Sequence, residues 1–385
     1  MAEVFIAGIG QTPVGELWEI SLRDLAVRAI VAARNEAGGL KPEAMFVGNM
    51  LAPLLSDQAH LGSLIADHAG MKGIEAAVIE AGGASGGAAL RTGYMAVASG
   101  EVEVALVLGV EKFTDRVGPK VEAALSTATD SDYESVQGLT PTAQAALLMR
   151  RYMHEYQVSR VAFAGFPITA HTNGATNPQA MFHNLISLEA YEKAGMISDP
   201  VNLFDAAPIA DGAAALLLTR WELLPKDAPL PPVRISGSSM ANDRLALHDR
   251  PDPLEWMAVR LSVERACRQA AIRPQDVDLF ELFDAYSIFA VLTLEAAGFA
   301  ERGQGWKMAE DGQISLAGKL PMATFGGLKA RGHPGGATGV YQAVEAVLQL
   351  RGLAGKNQVA GARRAMIQCL GGPAATAVTH VLERV

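Results

Sequence analysis

The chain has 385 residues and a net charge of −9, from 41 acidic and 32 basic side chains. That balance, with no basic tract, excludes non-specific nucleic-acid binding. Two cysteines leave no disulfide framework and no cysteine-based tetrahedral zinc site, and the longest apolar runs are far too short to span a bilayer.

The N-terminus has no basic leader and runs straight into a strand over residues 4–9, so no signal peptide is read and a cytoplasmic protein is expected. Residues 22–37 have helical spacing, with Ser21 as the N-cap. Residues 77–79 and 102–110 predict buried strands, and between them 84–99 predicts a helix rich in Ala and Gly. So small-sided a helix suits a central layer where neighbours approach closely. From 111 to 205 the pattern turns irregular, with short helical pieces such as 143–156, and reads as an excursion over the core. A strand at 213–219 and a Pro-rich joint at 225–232 follow.

The second half repeats the plan. Strands are expected at 233–238 and 277–282, helices at 259–271, 286–297 and 337–350, and two final strands at 365–369 and 375–382. The helix openings ASGG (84–87) and ATGV (337–340) fall in equivalent places, which an internal duplication explains. The expected halves are 1–224, carrying the excursion as a loop domain, and 225–385. Half the residues are hydrophobic, which suits a deep, many-layered α/β core.

Residues 77–90 read AVIEAGGASGGAAL. They resemble the stretch around the acyl-accepting nucleophile of thiolases, usually VEAACASGSAAL. Four further blocks carry the resemblance: 150–160 with 171–178, DPVNLFDAAPIADGAAALLLT (199–219), GGLKARGHPGGATGVYQA (326–343) and QCLGGPAATAVTHVLE (368–383). Together they cover nearly the whole chain and are most similar to the sterol-carrier-protein, or lipid-transfer, type. The resemblance implies a five-layered αβαβα fold and acyl-CoA chemistry. It implies no cofactor other than the CoA that belongs to the substrate, no bound metal, and a homodimer.

Two positions depart from that pattern. Gly83 stands where the nucleophilic Cys belongs, and glycine cannot form the covalent acyl intermediate. Phe283, in ELFDAYS (281–287), falls where an Asn or His should hold an oxyanion-hole water, and Phe donates no hydrogen bond. Two positions are kept. His333 lies in GHPGG, where Gly332 and Gly335 let backbone approach a ligand ahead of a helix N-terminus; the resemblance has it polarise a thioester oxygen. Cys369, in QCLGG beside Gly371, matches the acid/base cysteine, although a small buried hydrophobe is the alternative. Cys267 reads as packing on the face that carries Val263.

Tyr286 and Tyr341 lie at the ends of the two loops bearing Phe283 and His333. A phenol moves a proton without a covalent intermediate, and both are expected to point into the open space left at Gly83. Asp284 would orient one of them or cap a helix. Gly83, Phe283, Gly332, Gly335 and Gly371 are expected around the substrate. The whole pattern resembles the aldolases of steroid side-chain degradation that lack the nucleophile and work with a small OB-fold acyl-CoA-binding partner. Three functions follow: a retro-aldol carbon–carbon lyase, an acetyl-CoA acetyltransferase, and a non-catalytic acyl-CoA-binding subunit.

Overall fold

Alternating apolar strands and helices with one buried stripe build a layered α/β molecule. The computed structural model describes residues 2–224 and 230–385. Eleven strands occur among them: β1 Phe5–Gln11, β2 Ala44–Gly48, β3 Glu75–Ile79, β4 Val104–Glu111, β5 Met196–Ser198, β6 Val201–Asn202, β7 Gly212–Thr219, β8 Val233–Asn242, β9 Leu279–Glu281, β10 Arg364–Gly371 and β11 Thr376–Arg384. Nine of them hydrogen-bond in the order β3-β2-β4-β7-β1-β8-β11-β10-β9, while β5 and β6 form a separate hairpin.

The sheet divides at the β1–β8 pair, which joins through only Phe5↔Arg234 and Ile6↔Val233. On one side β2 and β3 run parallel to one another and β4 antiparallel to β7. On the other, β9 runs parallel to β10 and β10 antiparallel to β11. A parallel bridge from Phe280 to Met322 stands where β3 stands beside β2. The duplication reaches single residues. A Cβ at Gly10 of β1 would come 2.2 Å from Ala29 O of its covering helix, and one at Gly237 of β8 would come 2.2 Å from Ala266 O.

The helix Leu22–Glu36 opens on Ser21, whose Oγ accepts from Asp24 N at 3.2 Å, and buries Leu22, Leu25, Ala26, Ala29, Ile30 and Ala33 on one face. It forms one outer layer with Leu61–His68. Met257–Ala270 and Ser287–Ala296 form the opposite one. Between the sheet halves lie Ser85–Ser99 and Thr338–Arg351, each packed on strands of both. They meet backbone to backbone. A Cβ at Gly86 would stand 2.7 Å from Gly336 O, and one at Gly339 would stand 2.3 Å from Gly87 N. This contact is why both helices begin with small residues, and it gives the five layers expected.

Some expectations change. The strand at 77–79 is not buried: β3 pairs only with β2, and Val78 is 39% exposed. β2 was not anticipated. The excursion holds four helices, Gly118–Leu125, Pro141–Tyr156, Gly165–Gly174 and Leu188–Lys193, besides the β5–β6 hairpin. Of the Pro-rich joint at 225–232, residues 225–229 lie outside those described. No helix among the described residues is long and apolar enough to cross a membrane.

Candidate active site

The excursion closes over the N-terminal ends of the two central helices and leaves a cavity of about 300 Å³. Gly83 and Phe283 both line it. The space at Gly83 is not open, as expected from the missing side chain, but taken. A Cβ there would lie 2.7 Å from Cζ of Phe283 and 2.7 Å from the Leu370 carbonyl oxygen. Phe283 is 4% exposed, and its ring meets the His333 imidazole edge to face at 5.2 Å.

One extended segment places two of the polar groups of the cavity, Tyr286 and His333. Ala207 N donates to Ala285 O at 2.8 Å, pinning the Tyr286 strand end; Ala210 N donates to His333 O and His333 N to Pro208 O, pinning the histidine loop. Tyr286 is the N-cap residue of Ser287–Ala296, and its extended backbone sends the ring into the cavity. Its hydroxyl lies 2.9 Å from that of Thr142. Burial pushes the phenol up to about 12. His333 is half-buried, and its Nδ1 lies 2.9 Å from Thr338 Oγ1. No hydrogen bond among the described residues uses Nε2. Burial, with Arg331 adding to it, pushes the imidazole down to about 3, so the ring is neutral near neutral pH. Buried Glu111 steadies this loop. Its carboxylate accepts from Gly336 N at 3.0 Å, Met50 N at 2.9 Å, Leu51 N at 3.1 Å and Asn49 Nδ2 at 2.8 Å.

Three expected site residues turn elsewhere. Tyr341 is fully buried away from the cavity, where its hydroxyl donates to Thr12 O at 3.0 Å and sits 3.1 Å from Thr12 Oγ1. Cys369 faces the second central helix, donating from Sγ to Gln342 Oε1 at 2.8 Å, and burial pushes its thiol up to about 12. Asp284 orients no tyrosine. Its Oδ1 accepts from Leu328 N at 2.8 Å and so holds the turn Gly327–Arg331 that leads to His333. Gly332, Gly335 and Gly371 do not line the cavity. Gly332 has φ +107° and its α-carbon faces Val14, Gly335 packs on Phe113, and Gly371 lies against Ala81 O.

Three polar cavity residues escaped the sequence reading: Thr142, Gln144 and Glu122. Gln144 sits in the buried stripe of Pro141–Tyr156 with Leu148 and Tyr152, and a polar residue in an otherwise apolar stripe was the available signal. Glu122 stands at the exposed mouth, its carboxyl raised by partial burial. A second cavity of about 390 Å³, walled by His171, Phe204 and Lys329, shares Ile197, Ala206, Ala207 and Pro208 with the first. Burial pushes the Lys329 ammonium down to about 8, and it donates to the Leu203 and Ala206 carbonyls.

Residues 4–222 match the thiolase N-terminal domain model, and 239–384 match the thiolase C-terminal domain-like model. The chain belongs to the thiolase family. An acetyl-CoA acetyltransferase of Methanothermobacter thermautotrophicus is 42% identical to this thiolase-family chain, over 100% of both. Sterol carrier protein 2 of Gallus gallus is 28% identical over 98% of this chain and 71% of its own. Among solved structures, one described as "Ltp2-ChsH2(DUF35) aldolase" superposes with a TM-score of 0.85 at 26% identity, covering 100% of this chain and 98% of that one. Within this thiolase fold, then, the cavity holds a glycine, Gly83, packed under the ring of Phe283.

Proposed function

We propose that this thiolase-family protein is a carbon–carbon lyase that splits a β-hydroxyacyl-CoA by retro-aldol chemistry. One observation carries the reading: among the described residues the cavity offers a phenol and a neutral imidazole but no thiol, since Gly83 has no side chain and Cys369 faces the core. The reaction needs no covalent intermediate. The β-hydroxyl proton passes to Tyr286 as its own proton moves toward Thr142 and the Glu122 carboxylate at the mouth. The Cα–Cβ bond breaks, its electron pair forms an enolate on the thioester side, and a carbonyl compound leaves. His333, with Nδ1 accepting from Thr338, donates from Nε2 to the enolate oxygen. Return of the proton to Cα releases the shortened acyl-CoA. The adjoining cavity gives room for the pantetheine arm of CoA.

The name carried by the archaeal relative supports a second reading, an acetyl-CoA acetyltransferase. That chemistry requires a thiolate at the position of Gly83. Two assays separate the readings. A β-hydroxyacyl-CoA with a tertiary hydroxyl should yield a carbonyl product and a shorter acyl-CoA, whereas acetoacetyl-CoA with free CoA should yield no acetyl-CoA. The opposite pair of results would install the transferase in its place. The structural neighbour is described as an aldolase joined to a DUF35 component, which supports a partner protein; the resemblance supplies its small OB-fold form. A homodimer belongs to it as well, through the uncovered edge of β3, where Val78 is exposed.

A further inference from the structure

Gln144 is 1% exposed and contributes to the wall of the cavity that holds Tyr286 and His333. Neither end of its amide has a partner: Nε2 donates to nothing and Oε1 accepts from nothing. Buried side-chain amides are almost always bonded, and one left without partners is costly. The residue sits in the first turn and a half of Pro141–Tyr156, two positions beyond Thr142, whose hydroxyl meets that of Tyr286. Apart from Glu122 at the mouth and His333, the surroundings of Gln144, Thr142 and Tyr286 are apolar, with Leu125, Ile197, Ala206 and Phe289 among them. An amide with one free donor and one free acceptor is the complement of a hydroxyl group, which accepts one hydrogen bond and donates another.

We infer that Gln144 is the recognition element for the hydroxyl of a hydroxylated acyl thioester, holding its oxygen beside Tyr286. The inference rests on the lyase reading for the identity of the thioester, and on the orphaned amide for the presence of the hydroxyl. Nε2 donates to the hydroxyl oxygen, and Oε1 competes for its proton until Tyr286 takes it. A matching acyl group without the hydroxyl leaves the amide as it is in the empty protein. A site built to bond a hydroxyl therefore rejects the analogue that lacks one.

Titration calorimetry with 3-hydroxy-3-methylbutyryl-CoA and 3-methylbutyryl-CoA tests this without requiring turnover. The intact protein should bind the hydroxylated thioester about tenfold more tightly, the effect of one net hydrogen bond. Gln144→Leu should bring the ratio to about one and leave affinity for the plain thioester unchanged. Its thermal midpoint without ligand should rise, because an unbonded amide has been removed. Gln144→Met, nearer in length, should give the same ratio if the leucine variant does not fold. Equal affinities in the intact protein, or a preference that survives in both variants, would overturn the inference. A tenfold preference with no cleavage would keep the site and retire the lyase, and failure to bind either thioester would overturn both.

Discussion

Gly83 and Phe283 claim the same volume: the β-carbon that any other residue would place at 83 lies 2.7 Å from the ring of Phe283. The glycine leaves room for the ring, and no residue with a side chain fits at 83 while Phe283 holds this position.

Gly83→Cys alone should destabilise the protein by about 1–3 kcal/mol, the usual effect of overpacking, and should not produce thiolysis of acetoacetyl-CoA. Adding Phe283→Asn should recover part of the loss, the remainder coming from the Leu370 carbonyl, which does not move with the ring. Chemical denaturation of the two single variants and the double variant measures the coupling. Strict additivity would mean that the ring swings aside freely.

The tyrosines should separate. Tyr286→Phe removes the only phenol in the cavity among the described residues and should lower cleavage about 10²–10⁴-fold at nearly unchanged thermal stability. Tyr341→Phe should leave cleavage intact and cost about 1–3 kcal/mol, because Thr12 O loses its buried donor. Steady-state kinetics beside melting curves will distinguish an activity defect from a packing defect.

Both cysteines should resist thiol reagents while the protein is folded. Burial pushes Cys267 up to about 11 and Cys369 up to about 12, so neither offers thiolate at pH 8. Modification should wait for denaturant, and Cys369→Ala should retain lyase turnover. Rapid labelling of Cys369 in the native protein, with loss of activity, would restore it to the catalytic site.

His333 has a pH signature of definite sign. Its folded value, about 3, lies below the ordinary 6.5, so the fold favours the neutral ring. The resulting stability is complete above pH 6.5 and is lost as the pH falls from there toward 3. His333→Gln should reduce but not abolish the pH dependence of unfolding across that window, because burial also pushes His380 down to about 4, as measured by urea titration at pH 4 and pH 7. Lyase activity should show no limb from this histidine between pH 5 and 8. A nitrogen spectrum with His333 protonated at pH 6 would contradict the burial argument.

The layers, the repeated halves and the positions of Gly83 and His333 were legible in the sequence, because each is written in local spacing or in a turn that needs glycine. Orientation was not. Tyr341 lies in a helix buried on every side, where periodicity names no privileged face, and only the packing on β1 and β7 sends its hydroxyl to Thr12. In β10 the alternation of side chains points Cys369 toward Gln342 while its neighbour Leu370 borders the cavity. Sequence located the strand but not which side of it faced the ligand. Val78 misled for the opposite reason: an apolar edge strand reads like a buried one until its missing neighbour is known. Gln144 was overlooked because its helix belongs to the irregular excursion, whose register over the cavity depends on distant strands.

The contact between Gly86 and Gly336, and between Gly87 and Gly339, leaves no side chain to trim and no room to add one. Since Gly83 and His333 hang from the ends of those helices, the floor of the pocket is a fixed gauge. Diversification toward bulkier or smaller thioesters must then be written in the ceiling, along the segments that carry Glu122, Thr142, Gln144 and Ile197. Variation among paralogues should concentrate in that lid while the floor stays monotonous.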